Sequence, residues 1–292
     1  YKIRLFRPIE PGLSQYPRAS WEFMAGKADS FDPDAHQIVV KTIPTPVELS
    51  PTIHAKEGMP WKEVGSTEDT KNKVYTVQKQ VKSSQSILIA GGGPTGIEVA
   101  GEIAFEYGQK GQKEVYFATD KKLPLDDAWQ EDIRQGIKNE LEKLGVKHIP
   151  NTKVTAAKPG YSSKGRTTLE LTKASGKTSQ LTVGAYLPAI GVEPNSDFVP
   201  AKYRNETGWV LQDKILRLPG HGDMFVIGDG GSMEAPSAIK AESHLIYSAK
   251  AIEQYVTGQT QFYQYKADAT SIYLCRQPTS SKVERRRPHK SG

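Results

Sequence analysis

Ser86-Ile-Leu-Ile-Ala-Gly-Gly-Gly-Pro-Thr-Gly-Ile-Glu-Val-Ala-Gly101 reads as a short buried strand, a glycine turn and the start of a helix. Gly91, Gly93 and Gly96 stand at G-x-G-x-x-G spacing, with Gly92, Pro94 and Thr95 between them. In a dinucleotide site each glycine answers a steric demand. Gly91 permits the tight turn. Gly93 has no side chain to hold a pyrophosphate away from the backbone. Gly96 lets the helix lie close on the strand. The first turn of the helix then points its N–H groups at the phosphates. Glycine-rich turns are common, so the motif takes its meaning from the strand before it and the helix after it.

Reading outward, the helix is expected from Thr95 to Tyr107, with Gly108 as its stop. Gly101 falls inside it, where glycine is unfavourable, and close packing on the sheet is the expected reason. A second strand, Glu114-Val-Tyr-Phe-Ala-Thr119, ends at Asp120. A carboxylate there is placed to take the ribose 2′-OH of NAD. Lys121 and Lys122 follow at once, and either a solvated loop or a 2′-phosphate would suit them. The choice between NADH and NADPH stays open on these residues.

The alternation continues. Asp126 or Asp127 is expected to cap a helix reaching Leu144, with Ile133, Ile137, Leu141 and Leu144 on one face and Gly145 as the stop. Val146 to Ile149 reads as a strand. Thr167 to Thr172 and Gln180 to Val183 read as a hairpin turning at Ser175-Gly176, and Ala185 to Ile190 as a further strand. The fold class is therefore α/β: a Rossmann-like NAD(P)-binding domain over 82–190 with an added β-meander. Downstream, Met224-Phe-Val-Ile227 is expected to form a buried strand that delivers Gly228 and Asp229 to its C-terminal edge. A helix is expected from Ala238 to Tyr255.

The net charge is +6 over 292 residues, but its distribution argues against nucleic acid. Residues 276–292 hold six Lys or Arg against the single acid Glu284, so the rest of the chain is nearly neutral. That basic tail, 267–292, is expected to be disordered. No apolar run has the length of a membrane span. The sequence opens on Tyr1, without Met or a signal-like segment, and is expected to be a fragment or a processed form. The expected compartment is the cytoplasm, with membrane-associated and mitochondrial placements open. Cys275 is the one cysteine, which leaves no C-x-x-C pair within this sequence. The six histidines show no metal-binding spacing, so no metal site is expected.

Four segments, in order, resemble the AIF-like flavoproteins, a branch of the two-dinucleotide-binding-domain oxidoreductases related to type II NADH dehydrogenases. Gly26-Lys-Ala-Asp-Ser-Phe-Asp-Pro-Asp34 with Ile38-Val-Val-Lys41 resembles the strand pair of the flavin domain. Gly91 to Glu102 resembles the internal NAD(P)H motif. Tyr186-Leu-Pro-Ala-Ile-Gly-Val-Glu-Pro-Asn195, which contains Gly191, resembles the crossover between domains. Phe225-Val-Ile-Gly-Asp-Gly230 resembles the late flavin motif. The resemblance implies that Glu98 lies near the nicotinamide and that Asp229 bonds the ribityl or pyrophosphate part of FAD. It implies a flavin-dependent NAD(P)H oxidoreductase whose electrons pass from NADH or NADPH through FAD to a small acceptor such as a quinone. The other reading is a non-catalytic nucleotide-binding protein.

The chain also departs from that family. Its own opening, Tyr1-Lys-Ile-Arg-Leu-Phe6, lacks the first glycine motif, and the Pro- and Thr-rich stretch 41–62 lacks an apolar strand ending in Ala-Thr-Gly. Residues 1–81 and 191–266 are accordingly expected to form an incomplete FAD-binding domain around the domain at 82–190. The lack of a cysteine pair sets aside the disulfide-reducing branch, and no G-x-S-x-G elbow is present.

Overall fold

The computed structural model describes residues 10–24, 26–42, 53–55, 59–62, 66–159, 165–267, 271–273 and 282–284. In chain order these form α1 (Glu10–Leu13), β1 (Gly26–Asp32), β2 (Gln37–Thr42), β3 (Ile53–Ala55), α2 (Thr67–Ser83), β4 (Ser86–Ala90), α3 (Pro94–Ile103), β5 (Glu114–Ala118), α4 (Glu131–Lys143) and β6 (Val146–Ile149). Then follow β7 (Thr152–Pro159), β8 (Thr167–Lys173), β9 (Thr178–Val183), β10 (Ala185–Pro188), β11 (Val192–Pro194), α5 (Ala238–Val256), β12 (Ser271–Tyr273) and β13 (Lys282–Glu284). The chain divides into two units, one of residues 1–54, 63–72 and 193–267, the other of 55–62, 73–192 and 268–292.

The second unit carries the glycine turn. Its central sheet is parallel, in the order β10-β4-β5-β6. All five residues of β4 are buried, as a strand covered on both faces requires. On one face Ile87, Ile89, Val115, Phe117 and Leu187 pack with Ile97, Ala100 and Ala104 beyond and within α3 and with Ile137 and Leu141 of α4. On the other, Leu88 and Ala118 meet Leu169, Leu171 and Val183 of a three-stranded antiparallel sheet, β7-β8-β9. The result is three layers: helices, parallel sheet, meander. Ile87, Leu88, Ile89 and Phe117 are wholly buried, and each contributes roughly 1.5–3 kcal/mol by leaving water.

Several elements differ from expectation. The helix after the glycine turn is α-helical to Ile103 and then closes as a π turn, Ala104–Gly108, with Gln109 N–H donating to Ala104 O. Gly101 is not pressed on the sheet: a Cβ there would meet Leu141 Cδ2 of α4 at 3.8 Å, an ordinary contact. Helix α4 starts at Glu131 with Gln130 as its N-cap, not at Asp126 or Asp127. Those two aspartates serve the preceding loop, where Asp126 Oδ1 accepts from Ala128 N–H at 2.9 Å. Strand β7 was not expected. It pairs with β8 along its whole length, with a bulge between Val154 and Ala156.

The first unit holds the β1–β2 hairpin, turned by Asp32, whose Oδ1 accepts from Asp34 N–H and Ala35 N–H at 3.0 Å. Val199, Tyr203 and Leu218 form a small core with Phe31, Val210 and Val226. Met224 to Ile227 is not a buried strand. Phe225 makes a single bridge to Arg217, and Ile227 is 43% exposed. A strand needs a continuous ladder, and the neighbouring backbone supplies one rung. Within the stretch 41–62, the short strand β3, Ile53-His-Ala55, pairs with β11; it is not an apolar strand ending in Ala-Thr-Gly. The tail is not disordered throughout either. Ile272 faces Val283 in an antiparallel pair, β12–β13, and both are β-branched residues suited to a strand. Tyr1 to Phe6, Cys275 and the basic residues Arg276, Arg285 to Arg287 and Lys290 lie outside the described residues.

Candidate dinucleotide site

The parallel sheet reverses direction of growth at β4. Strands β5 and β6 build to one side of it and β10 to the other, so the crevice at its C-terminal end is a topological switch point, where open α/β sheets bind ligands. The glycine turn occupies that point. Gly91 has φ +120°, and a Cβ on it would fall 2.1 Å from Ala189 O. A Cβ on Gly96 would fall 1.9 Å from Gly91 O. Neither position admits a side chain. A Cβ on Gly93, by contrast, would meet nothing within 4 Å. Gly93 therefore faces open space.

The turn is fixed from several directions. Gly91 N–H donates to Ala118 O at 2.9 Å, Leu125 N–H to Gly92 O at 2.7 Å and Ile97 N–H to Gly93 O at 3.1 Å. Gly93 is the N-cap of α3 and Pro94 begins it, so the N–H groups of Thr95 and Gly96 have no acceptor within the helix. They and the helix dipole favour an anion at this end. Glu98 follows on α3, half-buried, and burial pushes its carboxyl above the ordinary range.

Asp120 stands exposed just past the C-terminal end of β5. Beside it opens a cleft of about 420 Å³ lined by Asp120, Lys121, Lys122, Asp127, Glu131, Arg134 and Asn151. Arg134 is buried, with Nε donating to Pro124 O at 3.0 Å and Nη1 to Asp127 Oδ1 at 2.7 Å. The Lys121 ammonium bonds the other Asp127 oxygen. Below them Thr119 Oγ1 donates to Lys121 O at 2.7 Å and accepts from His148 Nε2 at 2.8 Å. Burial, and then the charge of Lys138, lower the His148 imidazole pKa, while Glu142 works against both.

The glycine turn Gly91, Gly92, Gly93, Pro94, Thr95 and Gly96 and Asp120 thus follow the C-terminal ends of the adjacent strands β4 and β5, with Glu98 one turn further along α3. Gly191, with φ +108°, follows β10 in the same unit. Gly228 and Asp229 lie in the other unit, in a 3₁₀ turn, Gly228–Gly230. Gly228 N–H donates to His244 Nδ1 at 3.1 Å, and His244 Nε2 reaches Glu234 at 3.1 Å. Lys240 and Tyr265 also bond Glu234, at 2.6 and 2.7 Å. Asp127, Arg134, Asn151 and this Glu234 cluster are what the sequence reading missed. The pair Asp126-Asp127 was the available signal for the first group and was read as a helix cap.

Residues 50–243 match the family model described as pyridine nucleotide-disulphide oxidoreductase. The chain belongs to this family. The cofactors of this pyridine nucleotide-disulphide oxidoreductase family are FAD and NAD(P)H. The chain is 33% identical to oxidoreductase ptaL of Pestalotiopsis fici over 92% of its length and 72% of that protein's. It is 28% identical to the FAD-dependent oxidoreductase FVFD30 of Flammulina velutipes, over 71% of this chain and 62% of that one. It is 27% identical to ferroptosis suppressor protein 1 of Taeniopygia guttata, over 54% of this chain and 42% of that one. Among solved structures, LpdA of Mycobacterium tuberculosis shares the fold, with a TM-score of 0.50 and 15% identity over 65% of this chain and 38% of that one. Among the described residues no helix is long and apolar enough to cross a membrane, and no cluster of His, Cys, Asp or Glu suits a metal ion.

Proposed function

We propose that this family member is a flavin-dependent NAD(P)H:acceptor oxidoreductase, with 82–190 as its nicotinamide-nucleotide domain and 1–81 with 191–266 as its flavin-binding part. The observation that carries the reading is the glycine cradle at the switch point, closed to side chains at Gly91 and Gly96 and open in front of Gly93. The backbone of Gly92 and Gly93 and the first turn of α3, with Pro94 and Thr95, hold the pyrophosphate. Asp120 accepts from the adenosine ribose. Glu98, one turn into α3, lies toward the nicotinamide. Gly191, in the same unit, and Gly228 with Asp229, in the other, complete the proposed cofactor-binding residues. The two cofactors supply the redox chemistry, and the protein binds, orients and shields them. A small acceptor such as a quinone takes the electrons onward.

Gly93→Val tests this site. A Val side chain fills the space through which the pyrophosphate reaches the backbone, while meeting no protein atom within 4 Å at its Cβ. The variant is expected to fold normally and to lose NADH and NADPH binding by calorimetry. Equal affinity in wild type and Gly93→Val would refute the assignment.

A further inference from the structure

The cleft beside Asp120 contains three cations, yet two of them are already engaged by one carboxylate. Asp127 takes Lys121 on Oδ2 and Arg134 Nη1 on Oδ1. Arg134 is 10% exposed at its side chain, and its Nε is spent on Pro124 O. Its guanidinium is thus anchored inward and cannot swing to a ligand without leaving both partners. Lys122 has no ion pair among the described residues and stands exposed on the rim. The acids Asp120, Asp127 and Glu131 balance Lys121, Lys122 and Arg134 within the lining, so the cleft offers no excess positive charge. A 2′-phosphate is close to a dianion and needs such an excess, in the form of charge-assisted hydrogen bonds. A ribose 2′-OH needs one acceptor, which Asp120 supplies.

We propose that Asp127 sets the coenzyme preference of this site: by holding Lys121 and Arg134 it denies both to a 2′-phosphate, and the cleft takes NADH over NADPH. The inference rests on the dinucleotide site proposed above. Asp120 reads the ribose directly. Asp127 acts at one remove, as a positioning residue that commits the neighbouring cations. The bond from Lys121 holds the Asp127 carboxyl below the ordinary range against the opposing effect of desolvation, so it stays ionised at neutral pH.

The test is calorimetric titration of the full chain with NADH and with NADPH at one fixed salt concentration, read as the ratio of the two dissociation constants. Wild type is expected to favour NADH. Asp127→Asn keeps an acceptor for Arg134 but removes the charge, and is expected to shift the ratio toward NADPH by about tenfold, equivalent to about 1.4 kcal/mol. Adding Lys121→Gln to that variant is expected to cancel most of the shift. In the wild-type background Lys121→Gln is expected to weaken NADPH by no more than about twofold, since the ammonium is already committed. This last measurement keeps the inference open to refutation even if Asp127→Asn fails to fold. An unchanged ratio in folded Asp127→Asn, or a large loss of NADPH affinity in Lys121→Gln alone, would overturn the proposal. Gly93→Val run alongside separates the two levels: if it abolishes binding while Asp127→Asn does nothing, the dinucleotide site stands and only the role of Asp127 falls.

Discussion

Glu98 pays a desolvation penalty on the helix that leads from the glycine turn, and the direction of its titration has a consequence for stability. Burial raises its folded pKa, so the folded chain binds this proton more tightly than the unfolded chain does. Stability is then greatest below the unfolded value and is lost as pH rises through the raised folded one. Glu98→Gln is expected to remove that loss, so the variant gains on wild type in thermal melting as pH rises above the ordinary carboxylate value. An identical pH dependence in the two proteins would contradict it. At this scale the glycine turn was legible in the sequence, because Gly91 and Gly96 sit where no other residue fits. The Asp127 pair was not legible. Lys121 and Arg134 lie on different elements and meet one carboxylate only after α4 has packed. The adjacent Asp126-Asp127 pair is the local signal, and it reads equally as a helix cap.

Helix α5 is oriented against its composition. The face turned inward carries Lys240, His244, Ser248 and Ala251, while Leu245, Ile246 and Val256 are 58%, 58% and 75% exposed. The helix expected from Ala238 to Tyr255 is present, but an apolar stripe normally marks the inner side, and here it does not. Two members of the inner polar face, Lys240 and His244, are satisfied by Glu234, which Tyr265 also bonds, whereas the buried Ser248 Oγ has no hydrogen-bond partner among the described residues. Burial works to raise the Glu234 carboxyl, but the bonds from Lys240 and Tyr265, the Lys240 charge and the His244 bond outweigh it and hold it below the ordinary range. Its contribution is therefore present above the ordinary carboxylate value and lost as pH falls through the folded one. Glu234→Gln leaves Lys240 buried beside a neutral amide and is expected to cost about 3 kcal/mol in urea denaturation. A loss under about 0.5 kcal/mol, the size of an ordinary surface change, would contradict the account. Strand β7 escaped the sequence reading for a related reason. Thr152 to Pro159 has weak strand propensity, and β8 rather than its own pattern holds it in the sheet.

Across the whole molecule, the alternation of strand and helix over 82–190 carried the fold class, since each crossover leaves a readable helix between buried strands. The segments around the Gly228–Gly230 turn were less readable, because single bridges and short turns leave no periodicity. The chain spans 72% of ptaL, 62% of FVFD30 and 42% of the Taeniopygia guttata ferroptosis suppressor protein 1. What this chain does hold is a candidate nicotinamide-nucleotide site built within one unit, and that is the claim to test first. Hydrogen exchange of the full chain with and without NADH does so most directly. The account predicts slowed exchange in peptides covering residues 91–98 and 118–123, on the glycine turn and at the Asp120 edge. NADH binding that leaves both peptides unchanged and protects other segments would contradict it.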